Sequence, residues 1–157
     1  SYGIADRLKR AFTNMGEGQW FRDNCMMQDR YNREESLEDW QDSDKQLFLS
    51  VAMDEGIDLE GDRCRFQILA KVLYESMADR RVERRVSELG DWDWYNMKAA
   101  VQIQQAYGRA VRSEEDWAHF YVLDTSAEGL IKRNAELFQG WFLEAIQDVP
   151  VNPDRGM

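Results

Sequence analysis

In the stretch Leu47-Phe48-Leu49-Ser50-Val51-Ala52-Met53, apolar side chains follow one another almost without a break. Such a run predicts a strand that is buried on both faces, as the strands of parallel sheets are. Asp54-Glu55-Gly56-Ile57-Asp58 follows directly, so its carboxylates come just after the carboxyl end of the strand. Ligands of parallel α/β sheets bind beyond that end. The acidic segment is therefore either part of a ligand site or a tight turn with solvated carboxylates.

Two kinds of apolar pattern alternate along the chain. Short apolar runs predict further strands over the ranges 25–28, 66–72 and 117–123. Helical spacing predicts helices over the ranges 4–15, 34–41, 77–89, 92–111 and 125–146. The last of these is expected to open with a capping box from Thr125 to Glu128. The alternation predicts an α/β fold with a mainly parallel central sheet flanked by helices.

Length and charge limit the possible functions. The 157 residues are enough for one domain, which we expect over residues 1–147, followed by a flexible tail over 148–157. The net charge of −10 opposes nucleic-acid binding by the chain as a whole. However, residues 63–85 contain seven Lys or Arg against three Asp or Glu, which is compatible with a local phosphate-binding surface. The acidity fits either adaptation to high internal salt or ordinary solubility.

The sequence offers little for metal or thiol chemistry. Cys25 and Cys64 lie far apart without a C-x-x-C partner, so we expect two buried free thiols in a reducing cytoplasm and no metal. His119 lies in an apolar run and is predicted to be a core histidine. No apolar run approaches the roughly 18 residues of a membrane span, and no leader opens the chain. We therefore expect a soluble cytoplasmic protein that contacts no membrane.

The segment Gln105 to Arg112 has the pattern Q-x-x-G-R-x-x-R. Arg109 and Arg112 are three residues apart, so on the predicted helix they share one face and can aim two guanidinium groups at one target. Guanidinium matches phosphate oxygens in a bidentate way. Gly108 allows another backbone or a ligand to approach closely. The alternative is that both arginines lie on an ordinary solvated face.

Two other sets of residues are compatible with nucleic-acid binding. The pairs Arg80-Arg81 and Arg84-Arg85 recur four residues apart on one predicted helix. They either follow phosphates or form surface ion pairs with nearby acids, and we favour ion pairs. Trp92, Trp94 and Tyr95 either stack on bases or pack in the core and at the helix entry.

Taken in order, these segments resemble the superfamily 2 helicases of the XPD/DinG type. Residues 50–59 resemble motif V, in which an E-G-x-D element follows a strand, and residues 105–112 resemble motif VI. Residues 117–124 match the strand that follows motif VI and ends in leucine-aspartate. Ser1-Tyr2 resembles the end of the family's strand-S-Y element, with the strand itself missing. The resemblance extends to about Ile146, and the acidic composition favours a haloarchaeal member.

The resemblance implies a RecA-like domain of the P-loop NTPase type, the second motor domain of an ATP-dependent DNA helicase. ATP and Mg²⁺ would be bound mainly by an N-terminal domain, because this chain contains no G-x-x-x-x-G-K-[ST] loop. The implied partners are that N-terminal helicase domain and single-stranded DNA, and the fragment alone would be inactive. The implied catalytic residues are Arg109 and Arg112. The implied nucleotide-site residues are Gln105, Gly108, Glu55, Gly56 and Asp58. The implied DNA contacts are Ser1, Tyr2, Arg80 and Arg84.

Two departures from the family pattern affect the DNA contacts more than the nucleotide arginines. Leu73 and Glu75 stand where relatives usually have prolines, in a loop that follows a strand. Met53-Asp54 precedes the motif V glutamate, where many relatives have a longer glycine-rich lead. Two alternatives to the helicase interpretation remain. One is a non-catalytic module that keeps the fold and binds nucleic acid or protein. The other is a small-molecule enzyme, for which the sequence shows no nucleophile–base pair and no glycine-rich cofactor loop.

Overall fold

A computed structural model of the chain describes residues 2–51, 64–109, 111 and 116–147. The chain divides into two units, residues 1–56 and 57–157, each with its own internal contacts. The expected tail over residues 148–157 lies outside the described residues. A single domain over residues 1–147 stays a prediction.

The first unit contains three helices and one parallel strand pair among its described residues. In chain order the elements are α1 (Tyr2–Thr13), α2 (Gly18–Asn24), β1 (Cys25–Met27), α3 (Arg33–Gln41) and β2 (Leu47–Leu49). Strand β1 pairs with β2 in parallel, with Cys25 opposite Leu47 and Met27 opposite Leu49. The predicted helices and strands of this unit are present, with shorter strands than expected.

Gly18 fixes the tight connection between α1 and α2. A Cβ atom at this position would lie 2.0 Å from the carbonyl oxygen of Thr13. Real Cβ atoms do not approach backbone that closely, so only glycine fits without a shift of the chain. The rings of Phe12 and Phe21 then stack across the two helices, with centroids 5.1 Å apart.

The second unit has its own strand pair and a larger core. Its elements are β3 (Phe66–Leu69), α4 (Arg80–Glu83) continued by a π-helical turn (Arg84–Glu88), α5 (Trp92–Tyr107), β4 (His119–Val122), α6 (Thr125–Arg133), a 3₁₀ turn (Ala135–Leu137) and α7 (Gly140–Glu144). Strand β3 pairs with β4 in parallel, with Phe66 opposite His119. The core lies between the sheet and helices α5 to α7, and its members are Val72, Ala99, Ala100, Ile103, Ala127, Leu130, Phe138 and Phe142.

The fold is α/β and its strands pair in parallel, but the expected burial of the strands is wrong. Phe66 and Ile68 are 66% and 60% exposed, because β3 and β4 pack on the core through only one face. His119 lies on the exposed face, where its ring stacks on Phe66 at 5.5 Å, so it is not a core histidine. Among the described residues the strands form two two-stranded sheets, where one central sheet was expected.

The single long helix expected over residues 125–146 is also wrong. The chain instead forms α6, a 3₁₀ turn and α7, because Asn134 leaves helical geometry and its side chain bonds back to the Leu130 carbonyl at 3.0 Å. The helix cap is Asp124, whose carboxylate accepts a hydrogen bond from the backbone N–H of Ser126 at 2.9 Å. The expected capping box is therefore absent, and Glu128 pairs with Lys132.

Candidate functional site

The segment with the paired arginines begins on α5 and leaves it before the first arginine. Helix α5 ends at Tyr107, and Arg109 lies in the turn beyond, where its backbone N–H bonds to Ala106 at 3.4 Å. The prediction that Arg109 shares a helix face with Arg112 is therefore wrong for Arg109, which lies beyond the helix. Arg112 lies outside the described residues. A guanidinium just past a helix C-terminus is favoured by the negative end of the helix dipole.

An aromatic cluster fixes the end of α5. The ring of Tyr107 stacks on Trp141 with centroids 5.7 Å apart. It meets Phe120 of β4 and Phe142 of α7 edge-to-face at 5.8 and 5.7 Å. Such pairs add stability beyond the area they bury. Side chains of β4 and α7 therefore hold Tyr107, two residues before Arg109.

A glutamine that the sequence interpretation did not select completes this support. Gln104 donates from Nε2 to the carbonyl of Leu137 at 3.2 Å, and its Oε1 accepts from the N–H of Gln139 at 2.8 Å. Gln105, the motif residue, is exposed. The sequence does contain a signal for Gln104. The apolar spacing of Ala100, Ile103 and Tyr107 places residue 104 on the buried side of α5.

Gly108 has more space than the sequence interpretation expected. The atoms nearest to an added Cβ would be the carbonyl oxygens of Gln104 and Gln105, at 3.4 and 3.9 Å. Both belong to the preceding turn of α5, so within the described residues no other element approaches Gly108. Approach of a ligand to this glycine stays a prediction.

Asp124 joins the carboxyl ends of β3 and β4, and it was not among the predicted site residues. Besides capping α6, its carboxylate accepts the backbone N–H of the buried Val72 at 2.9 Å. Burial by itself would raise the pKa of Asp124, but the N–H groups of Ser126 and Val72 outweigh it and the pKa is lowered. The carboxylate therefore stays ionised and fixes where the chain leaves both strands.

The predicted residues of the acidic segment, Glu55, Gly56 and Asp58, lie outside the described residues, and so does Ser1. Tyr2, the other predicted DNA contact at the start of the chain, is described. Its hydroxyl donates to the carbonyl of Asp29 at 3.2 Å and accepts from Nε2 of Gln28 at 3.0 Å.

Three of the four arginines of α4 and the π-helical turn after it form ion pairs with acids. This agrees with the interpretation that we favoured. The pairs are Arg81–Asp79 at 2.9 Å, Arg84–Glu88 at 3.2 Å and Arg85–Asp91 at 2.7 Å. Arg80 is exposed and forms no ion pair within the part of the chain that the structure describes. The hydrogen bond from the Arg81 side chain, with help from its backbone N–H, lowers the pKa of Asp79 to about 2.

The aromatic residues at the start of α5 differ in their surroundings. The guanidinium carbon of Arg85 lies 4.2 Å from the ring centroid of Trp94, a cation–π contact. Tyr95 stacks on Tyr74 at 5.2 Å, as expected of a packed side chain. Trp92 meets Tyr95 edge-on at 6.0 Å and is 54% exposed, so base stacking by Trp92 stays a prediction.

Cysteine and metal chemistry receive no support from the described residues. Both cysteines are free, Cys64 is buried and Cys25 is half-buried. Burial raises the pKa of each thiol, which disfavours the nucleophilic thiolate. Within the ranges that the structure describes, no group of three or more His, Cys, Asp or Glu is placed to hold a metal ion. No helix among the same residues is long and apolar enough to cross a membrane.

Comparison with protein families identifies the family of the chain. None of the curated proteins compared with the chain matches it. A family model described as the helicase C-terminal domain matches residues 1–145. This match covers most of the 157 residues, including all of the first unit and most of the second. The chain therefore belongs to the helicase C-terminal domain family.

Proposed function

We propose that the chain is the second, RecA-like motor domain of an ATP-dependent DNA helicase of the XPD/DinG type. Its ATP site would be shared with an N-terminal helicase domain that holds the nucleotide and Mg²⁺. Arg109 and Arg112 would reach the γ-phosphate from this side, with Gln105 and Gly108 next to them. Hydrolysis would drive translocation on single-stranded DNA. The family match supports the helicase role, and the order of the two motifs supports the finer assignment.

The placement of Arg109 is the observation that carries the proposal. An arginine finger lowers the barrier to phosphoryl transfer only when its guanidinium waits in the right position. Here the turn that bears Arg109 follows Tyr107 directly, and that ring is held by Phe120, Trp141 and Phe142. The hydrogen bonds of Gln104 to the chain between α6 and α7 hold the same helix end.

The remaining roles follow from the resemblance. Glu55, Gly56 and Asp58 would lie at the cleft between the two motor domains and link the nucleotide to DNA. Ser1, Tyr2, Arg80 and Arg84 would contact the DNA backbone. Mg²⁺ would be held mainly by the N-terminal helicase domain.

The proposal is tested by ATP hydrolysis in a polypeptide that joins this chain to its N-terminal helicase domain. Arg109→Ala should lower the turnover stimulated by single-stranded DNA by about 10³-fold to 10⁵-fold, the range known for arginine fingers. Arg109→Lys should also fail, because an ammonium group keeps the charge but loses the bidentate fork. Arg81→Ala is the matched control, since Arg81 is exposed and pairs with Asp79.

Two results would contradict the proposal. The proposal requires that the 157-residue chain alone is inactive. If that chain hydrolyses ATP and loses this activity on Arg109→Ala, a site shared with an N-terminal domain is excluded. A joined polypeptide that binds nucleic acid or protein but hydrolyses no ATP would favour the non-catalytic module.

A further inference from the structure

One buried side chain in the first unit joins three segments that are distant in sequence. Gln28 follows β1 and is only 2% exposed. Its Nε2 donates to the hydroxyl of Tyr2 at 3.0 Å, and its Oε1 accepts from the N–H of Val51 at 2.8 Å. A buried amide holds its geometry strongly, because each lost partner leaves an unsatisfied polar atom. Gln28 therefore fixes the first turn of α1 and the exit from β2 relative to β1.

Tyr2 connects this hydrogen-bond network to Arg30, a cation at the surface. The hydroxyl of Tyr2 is held on both sides, since it also donates to the carbonyl of Asp29 at 3.2 Å. The guanidinium carbon of Arg30 lies 4.9 Å from the centroid of the Tyr2 ring. The Arg30 side chain is 58% exposed and lies just beyond the carboxyl end of β1, where parallel sheets bind their ligands.

The present anionic partner of Arg30 is easily exchanged. Arg30 pairs with Asp6 at 3.5 Å, and the Asp6 side chain is 43% exposed. Exposed pairs of this length contribute little, so a phosphate oxygen can replace the carboxylate at small cost. The loop itself is held in place, because the Asp29 carboxylate accepts the backbone N–H groups of Tyr31 and Asn32 at 2.7 and 3.2 Å.

We propose that Arg30 is a phosphate-binding residue for single-stranded DNA and that Gln28 is the positioning residue that holds it, through Tyr2, in the binding orientation. This inference rests on the proposed function, which brings DNA to the start of the chain. It adds Arg30, which the motif resemblance does not select, and it gives Tyr2 the role of a platform.

The test is fluorescence anisotropy of a labelled oligo-dT with the 157-residue chain across a salt series. Arg30→Gln should weaken binding about fivefold at 0.1 M salt and reduce the salt slope by about 0.7, the value for one phosphate contact on a single strand. Gln28→Met keeps the volume and the charge, yet it should produce a similar loss of affinity and of slope. In the Arg30→Gln background, Gln28→Met should add nothing.

The controls separate positioning from general damage. Tyr2→Phe removes only the hydroxyl and leaves Nε2 of Gln28 without this acceptor. It should give a smaller loss of affinity in the same direction with a small drop in melting temperature, and it remains measurable even where Gln28→Met does not fold. Arg10→Gln makes the same charge change on the exposed face of α1, and Gln46→Met makes the same amide change at an exposed site. Both should bind as the unmodified chain does.

The outcomes distinguish this inference from the proposed function. If the unmodified chain binds oligo-dT but Arg30→Gln leaves affinity and salt slope unchanged, the inference is overturned and the helicase proposal stands. An equal loss from Arg10→Gln would also overturn it, since the effect would be one of net charge. If the unmodified chain binds no oligo-dT, both the DNA role and this inference fail.

Discussion

Single carboxylates fix several of the turns in this protein. Asp124 caps α6 and also accepts from the N–H of Val72. Asp79 and Asp91 cap α4 and α5 by accepting from the backbone N–H groups of Arg81 and Trp94. Each satisfies backbone groups that a helix start leaves without partners. Asp124 is the aspartate that ends the strand after motif VI, whereas Asp79 and Asp91 lie outside the family motifs. Asp91 determines where α5, the helix on which motif VI begins, itself begins.

We expect Asp124→Ala to lower the free energy of unfolding by about 2 kcal/mol. The substitution removes the cap of α6 and leaves the buried N–H of Val72 without its acceptor. Asp124→Asn keeps one acceptor and should cost less. Urea unfolding followed by tryptophan fluorescence measures both. Glu128→Ala, in the first turn of the same helix, should leave the urea midpoint unchanged, and an equal shift there would argue against the role of Asp124.

The ionisation of Asp79 offers a test by pH. Its pKa is lowered to about 2, first by the Arg81 side chain and then by the Arg81 N–H. A carboxylate with a lowered pKa stabilises the folded state above its ordinary pKa of about 4, and this contribution is lost as pH falls from there towards 2.

In an NMR titration of the Asp79 carboxyl carbon, Arg81→Met should therefore raise the midpoint, but not fully to the ordinary value, because the backbone N–H remains. Arg84→Met, which affects the Arg84–Glu88 pair, should leave the titration of Asp79 unchanged. An unshifted midpoint in Arg81→Met would contradict the assigned cause.

At the scale of elements, helix ends place the candidate residues. Helix α5 stops at Tyr107 and its aromatic contacts hold the turn that bears Arg109. The π-helical turn after α4 ends at Glu88, and Gly90, with its positive φ, lies in the connection to α5. The position of Arg109 therefore depends on where α5 ends and not on a helix face.

We expect Gly90→Ala to destabilise the protein by about 1 kcal/mol. Gly90 has a φ of +69°, a left-handed conformation that a Cβ disfavours, while no atom lies within 4 Å of the added carbon. The cost should thus come from the backbone alone. Gly140→Ala is the matched control, because Gly140 opens α7 with the same free space and alanine favours helix. Equal destabilisation by both substitutions in urea unfolding would contradict this reasoning.

At the scale of the whole molecule, charge is the dominant feature. The chain carries 30 acidic and 20 basic residues, and several basic residues are already paired in the structure. Self-repulsion of a net −10 opposes the folded state, and salt screens it. The same screening would let an acidic domain approach DNA.

The melting temperature should therefore rise as KCl increases from about 0.1 to 1 M, while the Debye length falls from about 10 to 3 Å. Calorimetry measures the change, and a variant in which four exposed acids are replaced by their amides should show a smaller rise. A melting temperature that is independent of KCl would contradict both the repulsion and the halophilic interpretation.

Much of this protein could be predicted from the order of its residues. Apolar spacing located most of the helices and the parallel strands, because periodicity records which side chains are buried together. It did not predict α2 or the break between α6 and α7. The two motifs also gave the family, which the match over residues 1–145 confirms at the level of a helicase C-terminal domain.

Only the tertiary structure decided how the segments end and what supports them. The spacing of residues predicted that Arg109 lies on a helix, that one helix continues through Asn134 and that His119 is buried. The structure contradicts all three predictions. The roles of Gln28 and Asp124 could not be predicted, because they depend on backbone groups 23 and 52 residues away. Apolar spacing does place Gln104 on the buried side of α5, but it does not give the hydrogen bond to a carbonyl 33 residues away. The sequence determines which residue types are available, while folding determines which distant N–H and C=O groups they must satisfy.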